Sequence, residues 1–285
     1  MARSIDLTGK PICITGASAG IGAATAMACA RAGMPVLLAA RREDRLRQVA
    51  GRLRDAGARA EIFVVDVADA ESCRRMIHAA EDAFGPLYSV FANAGYGVER
   101  AIHEMTDEEL HAIFEVNFFG SLHAIMPAIP GMIERRCGHI LFCSSCLAVF
   151  PLPYYGAYSA TKASQHHVGR AMRLELAPYG VHVSTVHPIG TKTEYFDVVK
   201  QRTGQPSLME HTPDRFMQSP ERVARAVVKC LRKPRAEMWT NAFVRFGMTA
   251  SALAPRLADL GVRKMVREHR QREAPAGGAG PVGRH

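Results

Sequence analysis

The 285-residue sequence predicts a doubly wound α/β fold, a Rossmann-type parallel sheet of about seven strands with helices on both faces. Three observations carry that reading. Short apolar, β-branched runs alternate with longer helical patterns, the connections between them are short, and a glycine-rich turn joins the first strand to the first helix. Alternation of this kind builds right-handed βαβ units, whose strands are buried on both faces and read as near-continuous apolar runs.

The strands are expected at "PICIT" (11–15), "PVLLAA" (35–40), "EIFVVD" (61–66), "LYSVFAN" (87–93), "HILFCS" (139–144) and "HVSTVH" (182–187). Helical patterns fall between them at 20–32, 43–55, 70–84, 106–135 and 157–179. "SPERVARAVVKCLRKP" reads as a further helix, with Ser219 as N-cap, Pro220 in the first turn and basic residues at its end. "AEMWT" (236–240) supplies a short seventh strand. Residues 194–218 are polar and long for a loop, the signature of a lid or binding segment. The expected organisation is one catalytic domain over 1–240 containing that substrate loop, a basic helical extension over 241–273, and a disordered low-complexity tail over 274–285.

Composition bounds the function. Hydrophobic residues make up 48% and charged residues 22%, enough to bury a core and too apolar for general disorder. No run of 18 apolar residues appears, and "MARSIDLTGKPICITG" lacks the apolar stretch of a signal peptide, so a cytoplasmic protein is expected. Seven cysteines, an odd number in mostly apolar or helical contexts, suit reduced thiols. Of the net charge of +9, about +5 lies in the last 46 residues, where eight Lys/Arg face three Asp/Glu. That end is read as a solvated terminus, with no nucleic-acid partner expected.

"TGASAGIG" (15–22) places Gly16, Gly20 and Gly22 where a strand hands over to a helix. Glycines let the chain turn tightly and let a phosphate approach the backbone, while the helix N-terminus offers free N–H groups. With a second strand about 20 residues on, this is a dinucleotide site. NAD-preferring folds close the second strand with an acid that binds the ribose 2′-OH. Here "LLAARRED" has Ala40 there, followed by Arg41 and Arg42. A guanidinium binds a 2′-phosphate bidentately, so NADP(H) is the expected cofactor, with Arg41 the first candidate and Arg42 the second.

In "CSSCLAVFPLPYYGAYSATK" (143–162), Tyr158 and Lys162 are four apart in a helical pattern and therefore share a face. A free phenol, with a pKa of about 10, is a poor acid near neutrality, and an adjacent ammonium favours its ionised form. So tuned, Tyr158 can hand a proton to a carbonyl oxygen or take one from an alcohol. A hydroxyl from Ser144 or Ser145, at the end of the fifth strand, would steady the same oxygen.

Taken together these motifs resemble the short-chain dehydrogenase/reductase family over about residues 8–240. "TGASAGIG" resembles its cofactor turn, "NAG" at 93–95 the end of its fourth strand, "YSATK" its catalytic pair, and "DV" at 66–67 its adenine contact. The family's catalytic serine lies 13 residues before the tyrosine, which selects Ser145, and "FEVNFFG" supplies an asparagine, Asn117, to hold a water linking the lysine to solvent. The resemblance implies cofactor contacts from Gly16, Ser18, Gly20, Ile21, Gly22, Arg41, Arg42, Asp66, Val67, Asn93, Ala94, Gly95, Tyr158 and Lys162. It adds Pro188, Thr191 and Thr193 of "PIGTKT" (188–193). It also implies a homodimer or homotetramer formed through the long helices 106–135 and 157–179. Three departures stand out: Ala92 replaces the first amide of N-N-A-G, Ile189 and Thr191 replace glycine and valine in P-G-x-V-x-T, and Cys146 follows the serine.

Cys143 and Cys146 form a C-x-x-C, but no second pair completes a zinc site and no H-E-x-x-H occurs, so neither a metal nor a redox disulfide is expected. Cys146, Tyr154, Tyr155 and Tyr195 are the expected pocket residues, and their apolar neighbours suggest a steroid-like, lipid-derived or aromatic carbonyl or alcohol. In the extension, Leu253, Leu257, Leu260 and Met265 alternate with Arg256, Arg263, Lys264 and Arg267, with Pro255 as a helix break. Such a pattern suits an anionic membrane surface, but packing on the domain or on a neighbouring subunit is preferred. The leading function is therefore NADP(H)-dependent hydride transfer to a carbonyl or from a secondary alcohol. A cofactor-sensing protein without turnover and a membrane-surface protein acting through its tail are the rivals.

Overall fold

The computed structural model describes residues 4–150, 152–194, 199 and 217–273. Seven strands form one parallel sheet in the order β3-β2-β1-β4-β5-β6-β7. They are β1 (Ile12–Thr15), β2 (Val36–Ala40), β3 (Ala60–Val64), β4 (Ser89–Ala92), β5 (Gly138–Cys143), β6 (Val181–His187) and β7 (Glu237–Trp239). Each apolar run in the sequence forms a strand. Side chains alternate across the sheet, so Ile12 and Ile14 enter one core while Cys13 enters the other. Helices α1 (Gly20–Arg31), α2 (Glu43–Asp55) and, later in the chain, α8 (Pro220–Arg232) pack on the first core.

The second core is covered by α3 (Ala70–Phe84), by α5 (Gly120–Ile125) and α6 (Ile129–Glu134) of a longer helical run, and by α7 (Gly156–Leu176), while α4 (Asp107–Phe114), which opens that run, packs in a smaller cluster with Ala157 and Tyr158. Thr106 opens α4 with a reciprocal capping box to Glu109. The run from Asp107 to Glu134 has the length and apolar composition of a membrane span. Its inner residues, including Asn117, Ser121, Ala124, Ile125 and Met132, are nevertheless buried on the sheet, as in a core helix. Between α4 and α5 the backbone widens into a π segment, Glu115–Phe119, which the 3.6-residue periodicity of the sequence does not register.

Beyond β7, α9 (Ala242–Leu253) packs against the turn Cys146–Ala148 and is followed by α10 (Pro255–Glu273), the break falling at Pro255. Phe243, Phe246 and Leu253 on α9 and Leu257 and Leu260 on α10 are exposed. The outer face of the extension is therefore apolar and not covered by the domain.

Three histidines, His139, His182 and His187, stand on β5 and β6, and two of them set an acid limit on stability. Burial pushes His139 from 6.5 down to about 3 and His187 down to about 4. Below pH 6.5 the unfolded chain takes up a proton at each site that the folded chain refuses, so stability present above that pH is lost on acidification. Each histidine is expected to remove about 1.4 kcal/mol per pH unit until its folded value is reached. Urea midpoints measured between pH 7 and pH 5 should fall accordingly, and H139N should flatten the slope. An unchanged slope would mean that His139 is not neutral and buried.

Candidate active site

The strand order β3-β2-β1-β4 switches from one side of β1 to the other after β3, and ligands of doubly wound sheets bind at the carboxyl ends of the strands flanking such a point. Two loops meet there. Thr15, ending β1, accepts hydrogen bonds at Oγ1 from the backbone N–H groups of Asn93 and Ala94, each at 3.0 Å. Asn93 Nδ2 donates back to the Thr15 carbonyl at 2.9 Å, so the glycine turn and the "NAG" turn are tied together. Gly16 has φ +66°, and a Cβ there would lie 2.9 Å from Asn93 Nδ2. A Cβ at Gly22 would run into the Gly16 carbonyl oxygen. Helix α1 opens on Ala19 with no side-chain cap, so the first-turn N–H groups around Gly20, Ile21 and Gly22 are not taken by a capping side chain. A crowded, side-chain-free turn that leads into an uncapped helix N-terminus fits a pyrophosphate.

The two arginines after β2 diverge. Arg42 donates from Nη2 to Ser18 Oγ at 3.2 Å, bringing its guanidinium onto the glycine turn, and from Nη1 to Glu194 at 2.9 Å. Arg41 instead faces Asp66 at 3.8 Å. Asp66 caps its own turn through the Ala68 N–H, and the Val67 carbonyl is held by His123 Nδ1 at 3.1 Å. On the far side of the cleft, Thr193 lies over Gly20, whose added Cβ would approach the threonine methyl to 3.0 Å. Thr191 donates to the Ile189 carbonyl at 2.7 Å and bridges to Gln218, while the Pro188 carbonyl accepts from the Cys146 N–H. The loop is thus closed by its own hydrogen bonds despite Ile189.

Tyr158 and Lys162 lie one turn apart on α7, with the ammonium 5.6 Å from the centre of the tyrosine ring. Lys162 is buried, and Nζ donates to the Cys143 carbonyl at 2.8 Å and to Gln165 Oε1 at 3.1 Å. Burial lowers its pKa from 10.5 to about 8. The hydroxyl of Ser144 is spent on the Lys162 carbonyl at 2.8 Å. Ser145 Oγ accepts only a backbone N–H, from Leu147 at 3.1 Å, before the short turn Cys146–Ala148. Asn117 lies in the π segment: Oδ1 accepts from the Tyr96 N–H, and Nδ2 donates to the Tyr96 carbonyl and to Thr161 Oγ1. Gly95 makes room for this meeting, since a Cβ there would come within 2.9 Å of Asn117 Oδ1 and 3.4 Å of Lys162 Nζ.

Cys143 and Cys146 are free and buried, and burial pushes both thiols up to about 11, so neither is a thiolate at neutral pH. Tyr155 is buried with its ring edge-on to Tyr158 and its hydroxyl on Glu99 at 2.7 Å, so it backs the Tyr158 ring. Tyr154 has φ +66° and its carbonyl accepts from the Arg100 N–H. Tyr195 and most of the 194–218 loop lie outside the described residues, as does the 274–285 tail. Among the described residues there is no cluster of potential metal ligands.

Two residues not singled out from the sequence join the site. Gln165 bridges Lys162 to the π segment. His187, ending β6, stacks on Trp239 at 4.4 Å and holds the Ser145 carbonyl through Nδ1 at 3.0 Å. A carbonyl only accepts, so Nδ1 carries the proton and Nε2 receives the Thr185 hydroxyl at 3.1 Å. Gln165 lies three residues after Lys162, but its contact with Asn117 and that of His187 with Ser145 join distant parts of the chain.

A parallel sheet with a glycine turn at its switch point defines a nucleotide-binding fold of the doubly wound class. The short chain dehydrogenase family model matches residues 10–204, and the chain belongs to that family. It is 30% identical to the 3-dehydrosphinganine reductase of Danio rerio over 80% of this chain and 70% of that protein. It is 33% identical to glycine betaine reductase ATRR of Emericella nidulans over 80% of this chain, a match that spans only 18% of that longer protein. Among solved structures it resembles a short chain dehydrogenase/reductase from Burkholderia phymatum in complex with NAD, with TM-score 0.81, 24% identity, and coverage of 89% and 96% of the two chains. It also resembles an alcohol dehydrogenase from the archaeon Thermococcus sibiricus complexed with 5-hydroxy-NADP, with TM-score 0.70, 29% identity, and coverage of 81% and 95%.

Proposed function

We propose that this oxidoreductase uses NADP(H) to reduce the carbonyl group of an apolar small molecule. The observation that carries the cofactor assignment is the Arg42 guanidinium bonded to Ser18 of the glycine turn, next to a second strand that ends in Ala40 rather than an acid. A 2′-phosphate at that corner would meet the Arg42 guanidinium with no acid at the end of the second strand, in competition with the Glu194 carboxylate that Arg42 holds at 2.9 Å. Gly16, Ser18, Gly20, Ile21 and Gly22 would hold the pyrophosphate, with Thr193 over it, and Asp66, Val67, Asn93, Ala94 and Gly95 would line the adenine and ribose side. Pro188 and Thr191 would hold the carboxamide. A bound cofactor supplies the hydride. Tyr158 then donates its phenolic proton to the substrate oxygen, and Ser145 orients that oxygen by a hydrogen bond. Lys162 favours the phenolate left behind and reaches the cofactor ribose, and Asn117 holds the segment behind it.

An apolar substrate is supported by the surroundings of Ser145, where the buried Cys146 opens the next turn. The Danio rerio relative is named a 3-dehydrosphinganine reductase, which supports reduction as the direction. Exposed Phe119 and Met126 on the long helical run and Leu174 on α7 support assembly into oligomers through those faces, and the apolar side of α9 and α10 suits a neighbouring subunit. A cytoplasmic setting is consistent with the uncharged, reduced thiols of Cys143 and Cys146.

Side-by-side fluorescence titration with NADPH and NADH tests the cofactor assignment. NADPH is expected to bind at least about tenfold tighter, or about 1.4 kcal/mol. Equal affinity, or tighter NADH, would remove the 2′-phosphate argument and make NAD-linked alcohol oxidation the leading reaction.

A further inference from the structure

Behind the ammonium of Lys162 stands a closed set of hydrogen bonds. Gln165, fully buried one turn further along α7, accepts from Lys162 Nζ at 3.1 Å. Its Nε2 donates to the Asn117 carbonyl and to Ser121 Oγ, each at 2.6 Å, and Ser121 Oγ donates to the same carbonyl at 2.6 Å. The orientation of the amide follows from its partners. An ammonium can only donate, so it must face Oε1, and a carbonyl can only accept, so it must face Nε2. The π segment makes this possible, because the widened turn offers the Asn117 carbonyl to side chains as well as to the helix.

The two groups that Gln165 joins are the lysine ammonium and the carbonyl of Asn117. The family resemblance implies a water linking lysine to solvent at Asn117. In this chain a side-chain amide spans that distance and uses both of its N–H groups and its oxygen in doing so. We propose that Gln165 is a positioning residue that takes the place of solvent behind Lys162. It holds the ammonium in its charged form beside Tyr158 and keeps the inner side of the lysine dry. An amide neither gains nor loses a proton near neutrality, so protons reach Lys162 from the side of Tyr158 and the cofactor cleft only. The inference rests on the reading of Tyr158 and Lys162 as the proton-handling pair.

Other titratable groups around the ammonium are the Cys143 thiol on β5, which burial keeps protonated, and Tyr158 on α7 itself. Burial already lowers Lys162 to about 8, so the loss of an acceptor should lower it further and within a measurable range. The chain contains seven lysines, few enough to follow individually by ¹³C NMR of lysine-labelled full-length protein, with K162M identifying the signal. In Q165L and Q165M the Lys162 midpoint is expected to fall by at least about one pH unit, a tenfold change in its protonation equilibrium. S121A, which loosens the same network without touching Lys162, is expected to leave the midpoint in place. An unmoved midpoint in both folded Gln165 variants would overturn the proposal, and so would an equal drop in S121A. A shifted midpoint with an unshifted rate–pH profile for carbonyl reduction would uphold the Gln165 contact and overturn the role of the Tyr158–Lys162 pair. The two failures are therefore distinguishable.

Discussion

Replacing Tyr158 by phenylalanine is expected to lower turnover by about 10²–10⁴-fold while leaving NADPH affinity near that of the parent protein. The substitution removes one oxygen and nothing else. The ring keeps its edge contact with Tyr155 and its place beneath the Lys162 ammonium, so the fold of α7 and the cofactor cleft have no reason to change. What is lost is the phenol one helical turn from the buried Lys162, and with it the group proposed to protonate a developing alkoxide. K162M should behave differently, because the lysine is assigned both to the phenol and to the cofactor, so turnover and cofactor affinity should fall together. Steady-state kinetics with a carbonyl panel, paired with NADPH fluorescence titration, separates the two. Turnover in Y158F within about tenfold of the parent would assign the proton to another group and leave Tyr158 a structural role.

The second large effect is expected at Arg42. In R42A, NADPH should bind about tenfold or more weakly, with NADH affinity unchanged, since only the 2′-phosphate uses the guanidinium. R41A should do less, because its side chain turns to Asp66 rather than to the glycine turn. Arg42 is also engaged by Glu194, at the start of the substrate loop, and that carboxylate competes with a phosphate for the same cation. E194Q is therefore expected to tighten NADPH. Equal losses for NADPH and NADH in R42A would make the arginine a scaffold for the turn and would remove the case for NADP(H).

The strands and the glycine turn were legible because their signals are local. Apolar runs such as 36–40 and 139–143 carry the strand in every residue, and Gly22 is demanded by a carbonyl only six residues away. The site was less evenly legible. The choice of Ser145 over Ser144 came from family spacing; the bond that takes up the Ser144 hydroxyl reaches the Lys162 carbonyl 18 residues on. Between the arginines the sequence favoured Arg41, whereas it is Arg42 that meets Ser18, a residue 24 positions earlier and invisible to any window around the second strand. The π segment at Asn117 changes the helical pitch over five residues, too short a stretch to disturb a hydrophobic pattern. Gln165 and His187 act across 48 and 42 residues, respectively, and no spacing rule links them to Asn117 or Ser145.

Trp239 is the only tryptophan in the chain, and it stacks on the histidine that holds the backbone of Ser145. Its indole N–H is fixed on Glu237, which in turn lies 3.8 Å from Arg245 of α9. The molecule thus carries one indole, which can be excited apart from the seven tyrosines, wired on one side to the backbone of Ser145 and on the other to α9. Its emission is a single-site optical readout, in which a movement of the extension and a change at the serine both register without any label being attached.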